Sequence, residues 1–381
     1  MKRFIFNSLL DAENICNLET ETKKISDGIQ NGLKMLIYGK RNTGKTSLIR
    51  NVIAKKWQQE INGFFMYVDL MGVQDISQIS ERLMLAFSQA YNRAFRMKSL
   101  FQTLLQTIKG IKPALEVDEK GYPKLSLGIQ AESKYRPFTD IIQQLDNLYS
   151  SKVSVLLVLD EFQDIALVKQ AEALFRQSLE SINSEIPVLI LGSKQHLLTQ
   201  IFAKPDAPFF SWGTHVSFLP IDYTVYSDYM NERFNQMNLN IDYDNAKYLQ
   251  DLMSRNPEAI NRLCYTLQHI GNKGELTKDT IDMALEQLIQ DRRSEPESYL
   301  SKFSMAEQSV MTALAFKGPI LKPLGKVFVQ QVGLSTTGVG KIIKKLENNA
   351  VVYKEDNGYV LADPLLKQHI LQFRLSFRGY I

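Results

Sequence analysis

Continuous apolar runs alternate with amphipathic stretches over residues 1–222. The runs "MLIY" (35–38), "FFMYVDL" (64–70), "VSVLLVL" (153–159) and "IPVLIL" (186–191) read as buried strands of a parallel sheet. Between them Leu48, Val52 and Ile53, and then Ile76, Ile79, Leu83 and Phe87, recur at helical spacing. This alternation predicts an α/β domain with helices on both faces of the sheet. Residues 97–140 interrupt it with a helix near 100–108 and then "LEVDEKGYPKLSLGI", two alternating runs about Gly121 and Pro123 that read as a β-hairpin. The insertion is structural or a partner contact. From residue 223 to about 290 the pattern is helical throughout, with apolar faces such as Tyr226, Tyr229, Met230 and Phe234, and Ile260, Leu263, Leu267 and Ile270. The polar string "DRRSEPES" (291–298) ends it. Beyond it come helices over 305–316 and near 324–332, the helical stretch "LSTTGVGKIIKKLENN", and two short strands about Asn357-Gly358. Three helices and a hairpin are in winged-helix order.

Composition adds bounds. The chain has 381 residues, 44% hydrophobic and 23% charged, which suits two or three globular domains. Their expected limits are 1–222 with the 97–140 insertion, 223–292, and 301–381. No apolar run approaches the roughly 18–20 residues that span a bilayer. The start "MKRFIFNSLLDAENIC" meets Asn7, Asp11 and Glu13 too early for a signal peptide, so a cytoplasmic location without membrane partners is expected. Cys16 and Cys264 stand far apart without ligand-spaced neighbours, which suggests neither a disulfide framework nor a zinc site. The net charge of +4 is too small to indicate nucleic-acid binding by itself. It is unevenly spread, however. Residues 301–381 hold eleven basic and five acidic side chains, a net +6.

The chemistry begins at "IYGKRNTGKTSLIR". Gly39, Gly44, Lys45 and Thr46 fill the phosphate-loop pattern G-x-x-x-x-G-K-[ST] between a strand and a helix. Backbone N–H groups across Arg41, Asn42, Thr43, Gly44, Lys45 and Thr46, with Ser47 next, would surround the phosphates of ATP at a helix N-terminus. Lys45 would reach the β and γ oxygens, and Thr46 would ligate Mg2+. "VSVLLVLDEFQDI" brings Asp160 and Glu161 to a strand end. Asp160 would hold the metal through water, and Glu161 would deprotonate the attacking water. "FFMYVDL", lying between these motifs, is expected to be the additional strand that marks the catalytic-glutamate class of P-loop ATPases. Ser193, after "IPVLIL", is placed to sense the γ-phosphate or to cap the following helix.

On "GKRNTGKTSLI", "LDEFQDI", "LGSKQHLLTQIF" with "PFF" at 208–210, and "YMNERF" at 229–234, the chain resembles the archaeal-type AAA+ ATPases, relatives of the signal-transduction ATPases with numerous domains. The resemblance implies an AAA+ P-loop sheet, a helical lid over residues 223–292 and a winged helix at 301–381. It also implies an adenine contact at Pro257 within "SRNPEAINRL", where Arg255 replaces the family's glycine and Arg262 follows one turn later. Ser211 and Trp212 stand where an arginine finger tends to lie. In the winged helix Lys341, Lys344 and Lys345 share one helix face and would meet DNA phosphates. The expected function is an ATP-hydrolysing switch or motor, cycling between ATP and ADP. The alternative is a DNA-binding regulator or protein-docking module that uses ATP as a structural ligand. A protein partner and a second copy of the chain both stay open.

Overall fold

The apolar runs close into one five-stranded parallel sheet in the computed structural model, which describes residues 2–61, 63–96, 113–117, 123–127, 136–271, 274–355 and 357–374. Two units emerge: Leu18–Leu219, and Met1–Asn17 together with Pro220–Ile381. The expected ATPase domain started at residue 1, so the first 17 residues are placed differently from that expectation.

Leu18–Leu219 runs through α1 (Glu19–Gln30), β1 (Lys34–Gly39), a helix α2 over 45–60 whose middle, Leu48–Ile53, is π-wound, and β2 (Phe64–Asp69). Then come α3 (Ile76–Arg96), β3 (Pro113–Val117), β4 (Pro123–Leu127), α4 (Arg136–Ser150), β5 (Val155–Asp160), α5 (Ala171–Ser181), β6 (Val188–Gly192), α6 (Gln195–Phe202) and β7 (Thr214–Phe218). The sheet order is β2-β5-β6-β1-β7, with all four pairings parallel. β5 and β6 are buried at every position, as strands covered on both faces must be, and their side chains are accordingly apolar up to Asp160 at the end of β5. The additional strand between β1 and β5 is β6. "FFMYVDL" is instead β2, at the sheet edge in register with β5 from Phe64 opposite Val155 to Asp69 opposite Asp160. Chain order does not report spatial order in a parallel sheet, because each crossover can carry the chain past a neighbour.

β3 and β4 pair antiparallel as the expected hairpin. The helix expected near 100–108 and the turn at Gly121 lie outside the described residues. Phe162, from the string "DEFQ", meets Phe209 edge-on at 5.3 Å, and Phe209 meets Trp212 at 5.7 Å. Two separate motif segments thus join in one aromatic cluster, whose ring geometry adds to its burial.

The second unit contains α7 (Tyr223–Phe234), β8 (Leu239–Asn240), α8 (Tyr243–Leu252), α9 (Pro257–Ile270), β9 (Gly274–Glu275) and α10 (Lys278–Asp291). Asp222, Asp242, Asn256 and Thr277 cap the four helices with side-chain oxygens, which fixes where each begins. The short parallel pair β8–β9 departs from the wholly helical expectation. Arg233 is completely buried and binds the N-terminal arm, donating to the Arg3 carbonyl at 3.1 Å and to Asn14 Oδ1 at 3.4 Å. Its guanidinium lies 3.4 Å from the centre of the Tyr229 ring. Phe4 completes the attachment by packing on Phe234 at 4.8 Å.

α11 (Ser294–Leu300), α12 (Met305–Lys317), α13 (Lys326–Val332), α14 (Thr336–Asn348), the hairpin β10 (Val352–Glu355) and β11 (Gly358–Leu361), and α15 (Pro364–Phe373) follow. Ser304 and Glu307 form a capping box at α12, and Ser335 caps α14 by accepting from the Gly338 N–H at 3.1 Å. Ile320 exchanges backbone hydrogen bonds with Tyr359 and adds a third line to the hairpin. α15, which the helix-and-hairpin pattern did not foresee, donates from Gln368 to the Leu252 carbonyl at 2.9 Å and so ties this region to α8.

Candidate active site

At the end of β1 the chain turns through Asn42 at φ +62° and Gly44 at φ +88°, then enters α2. The second angle is one that glycine adopts without strain. The turn curls around Lys45, which is buried and donates to the carbonyls of Gly39 at 2.9 Å and Lys40 at 2.6 Å, and to Thr43 Oγ1 at 3.2 Å. Burial lowers the Lys45 pKa from 10.5 to about 8, against the opposing pull of the Glu161 and Asp160 charges. Arg41 and Asn42 are exposed at the tip, while Ser47 is buried beneath it.

β5 delivers Asp160 beside this loop. Its Oδ2 accepts from Thr46 Oγ1 at 3.0 Å, and its Oδ1 accepts from the Glu161 N–H at 2.8 Å. The same Oδ2 accepts from the Tyr67 hydroxyl, a contact the motifs did not reveal. Burial first, and then the Asp160 charge, push the Tyr67 pKa far above its ordinary value, so the phenol stays a donor. Arg50 lies 4.9 Å from the centre of the Tyr67 ring. The available signal was a tyrosine in an otherwise apolar run, two positions before Asp69, which lies opposite Asp160 in the register of β2 and β5.

Glu161 sits at φ +50°, a left-handed conformation uncommon for a residue with a side chain. Its carboxylate accepts from Ser193 Oγ at 3.0 and 3.3 Å and from Gln163 Nε2 at 2.5 Å. Ser193 therefore turns towards Glu161, while α6 begins at Gln195 without a side-chain cap. Beyond Gln163, the buried Asp164 accepts from the Gly72 N–H at 2.8 Å and pairs with Lys194 at 2.7 Å. Every polar residue of "DEFQD" thus has a partner within this unit.

The remaining expected site residues lie in the other unit. Pro257 is the first residue of α9, following the Asn256 cap. Arg262 is buried against Phe6, with its guanidinium 4.6 Å from the ring centre, and pairs with Glu258 at 2.7 Å. Arg255 lies 4.2 Å from the Tyr223 ring centre and donates to the Ile221 carbonyl. Lys341, Lys344 and Lys345 are exposed on α14, while Val339, Ile343 and Leu346 on its other side are buried. Lys345 is held at 2.6 Å by Glu307, whose pKa falls below the usual carboxylate value through that bond and those from Ser304. Arg378 and Asp356, both counted in the net charge, lie outside the described residues.

No described helix is long and apolar enough to cross a membrane. None of the curated proteins matches the chain in sequence. Residues 296–372 match the family model described as "Probable winged helix domain". Among solved structures, the Walker-type ATPase of Pyrococcus abyssi is similar at 17% identity and a TM-score of 0.65, covering 97% of this chain and 99% of its own. The ORC1 protein of Aeropyrum pernix, solved in complex with DNA, is similar at 12% identity and a TM-score of 0.51, with 100% of both chains covered. The fold is that of the AAA+ P-loop ATPases, carrying a winged helix at residues 296–372.

Proposed function

We propose that the chain binds ATP with Mg2+ at the 39–47 loop, hydrolyses it, and uses the nucleotide state to control a winged helix that contacts DNA. The observation that carries this reading is the 3.0 Å bond between Thr46 Oγ1 and Asp160 Oδ2, with Lys45 and Glu161 on either side. A hydroxyl and a carboxylate oxygen that converge suit a small, hard cation, which keeps waters and takes its other ligands from phosphate. Among the described residues no cluster of three or more His, Cys, Asp or Glu offers an alternative all-protein metal cage. When bound, Mg2+ would neutralise charge on the β and γ oxygens. The chain's own residues do the rest. Lys45 would exchange its loop carbonyls for phosphate oxygens, Thr46 and Asp160 would hold the cation, and Glu161 would take the proton of the attacking water.

The test is Glu161→Gln, which keeps the shape and removes the base. Turnover should fall by a factor on the order of 10² or more while bound ATP accumulates. Turnover near that of the unaltered protein would show that another group activates the water. Negligible turnover by the unaltered protein, with and without DNA, would favour the regulator that holds ATP structurally. DNA contact rests on the exposed lysines of α14 within the +6 region.

A further inference from the structure

Gln163 is completely buried, and both ends of its amide are used. Nε2 donates to Glu161 Oε2 at 2.5 Å and to Asp164 Oδ1 at 3.2 Å, while Oε1 accepts from the Ser193 N–H at 3.2 Å. A buried amide is costly unless satisfied in this way. The neighbouring strand end makes room for it, because a Cβ added at Gly192 would stand 2.6 Å from Gln163 Oε1. Glu161, in its left-handed backbone conformation, therefore receives two side-chain donors, Gln163 Nε2 and Ser193 Oγ, which the Gln163 amide also joins to each other. None of these Gln163 bonds reaches Lys45, Thr46 or Asp160.

We propose that Gln163 is a positioning residue for the hydrolytic step: with Ser193 it holds the Glu161 carboxylate in the orientation that meets the attacking water, and it has no part in nucleotide affinity. This rests on the hydrolysis reading above. These two donors fix the direction of the carboxylate, and a group misplaced by about 1 Å loses roughly 10²-fold in rate. The amide acts through Glu161.

The experiment compares Gln163→Leu, Glu161→Gln and the double variant in the full chain, measuring Mg2+-ATP affinity by calorimetry and hydrolysis in single turnovers. Gln163→Leu should lower the hydrolysis rate by about tenfold or more and leave affinity within about twofold. In the Glu161→Gln background the same change should have no further effect, since a residue that acts through another loses its influence when that partner is removed. Equal additional losses in both backgrounds, or loss of ATP affinity, would reduce Gln163 to a structural role and overturn the proposal. Gln163→Glu supplies a test that does not depend on tolerance of leucine. Two carboxylates at this separation compete for one proton, so the acid limb of the pH–rate profile should move to higher pH; an unmoved limb overturns the proposal. If the unaltered protein does not hydrolyse ATP, the hydrolysis reading falls and takes this one with it. If it does and the Gln163 variants match it, this inference alone falls.

Discussion

Replacing Lys45 by methionine should stabilise the nucleotide-free protein while removing its affinity for ATP. Lys45 is 6% exposed, and its pKa falls from 10.5 to about 8 mainly through burial. At about 1.36 kcal/mol for each factor of ten, the charged form costs the folded state roughly 3 kcal/mol at neutral pH. Methionine removes that cost and has similar length, but takes the Lys45 donor from the Gly39 and Lys40 carbonyls, of which the second keeps Thr43 Oγ1 at 2.9 Å. Two such losses cost about 1 kcal/mol each, so a net gain of about 1–2 kcal/mol remains. For a unit of about 200 residues this raises the melting temperature by roughly 2–8 °C. The pH dependence follows from linkage. The unfolded chain holds the lysine proton up to about 10.5 and the folded chain only to about 8, so the destabilisation is complete below about 8 and fades as pH rises towards 10.5. The advantage of Lys45→Met should be largest at pH 7 and shrink above 8. Calorimetry reads this on the transition that Mg2+-ATP shifts in the unaltered protein and no longer shifts in the variant. A folded variant that melts below the unaltered protein at pH 7, or an advantage that does not shrink with pH, would refute the reasoning.

Replacing Lys341 and Lys344 together by alanine should lower the salt slope of DNA binding by about two units, similarly on unrelated sequences, as measured by fluorescence anisotropy. Lys345→Ala should change that slope less, because Lys345 is already paired with Glu307. Arg233→Met should destabilise its unit by on the order of 3 kcal/mol in urea titrations, since it strips the donor from the Arg3 and Tyr229 carbonyls and from Asn14. Stability equal to that of the unaltered protein would mean that water replaces the guanidinium there.

The turn before α2 and the strand end at Asp160 and Glu161 were readable because their conformation is local: a few consecutive residues specify turn, charge and helix entry. β6 was recognisable as a buried strand, but its place between β1 and β5 was not, since that depends on how far each crossover carries the chain. Tyr67 read only as part of a strand because its partner lies 93 positions away, and the link from Gln163 to Ser193 spans 30. Arg233 stood in the string "YMNERF" without a role of its own. Its burial depends on the first residues of the chain folding back onto it, a long-range event that helical periodicity does not encode.

The attachment of the N-terminal arm has a consequence for biosynthesis. Asn14 and Arg3 find their partners Tyr229 and Arg233 at separations of 215 and 230 residues, and nearly all the intervening chain forms the sheet-bearing unit. At roughly 5–20 residues per second, translation delivers those partners about 11–46 s after the arm has been made. The parallel sheet has everything it needs by residue 219, so it can fold first, while Phe4 and its neighbours wait without a place to be buried. A ribosome stalled shortly after that point would display a finished parallel sheet and a loose apolar arm, the kind of segment that chaperones bind. Residues 3–14 are made before the sheet and fixed after it.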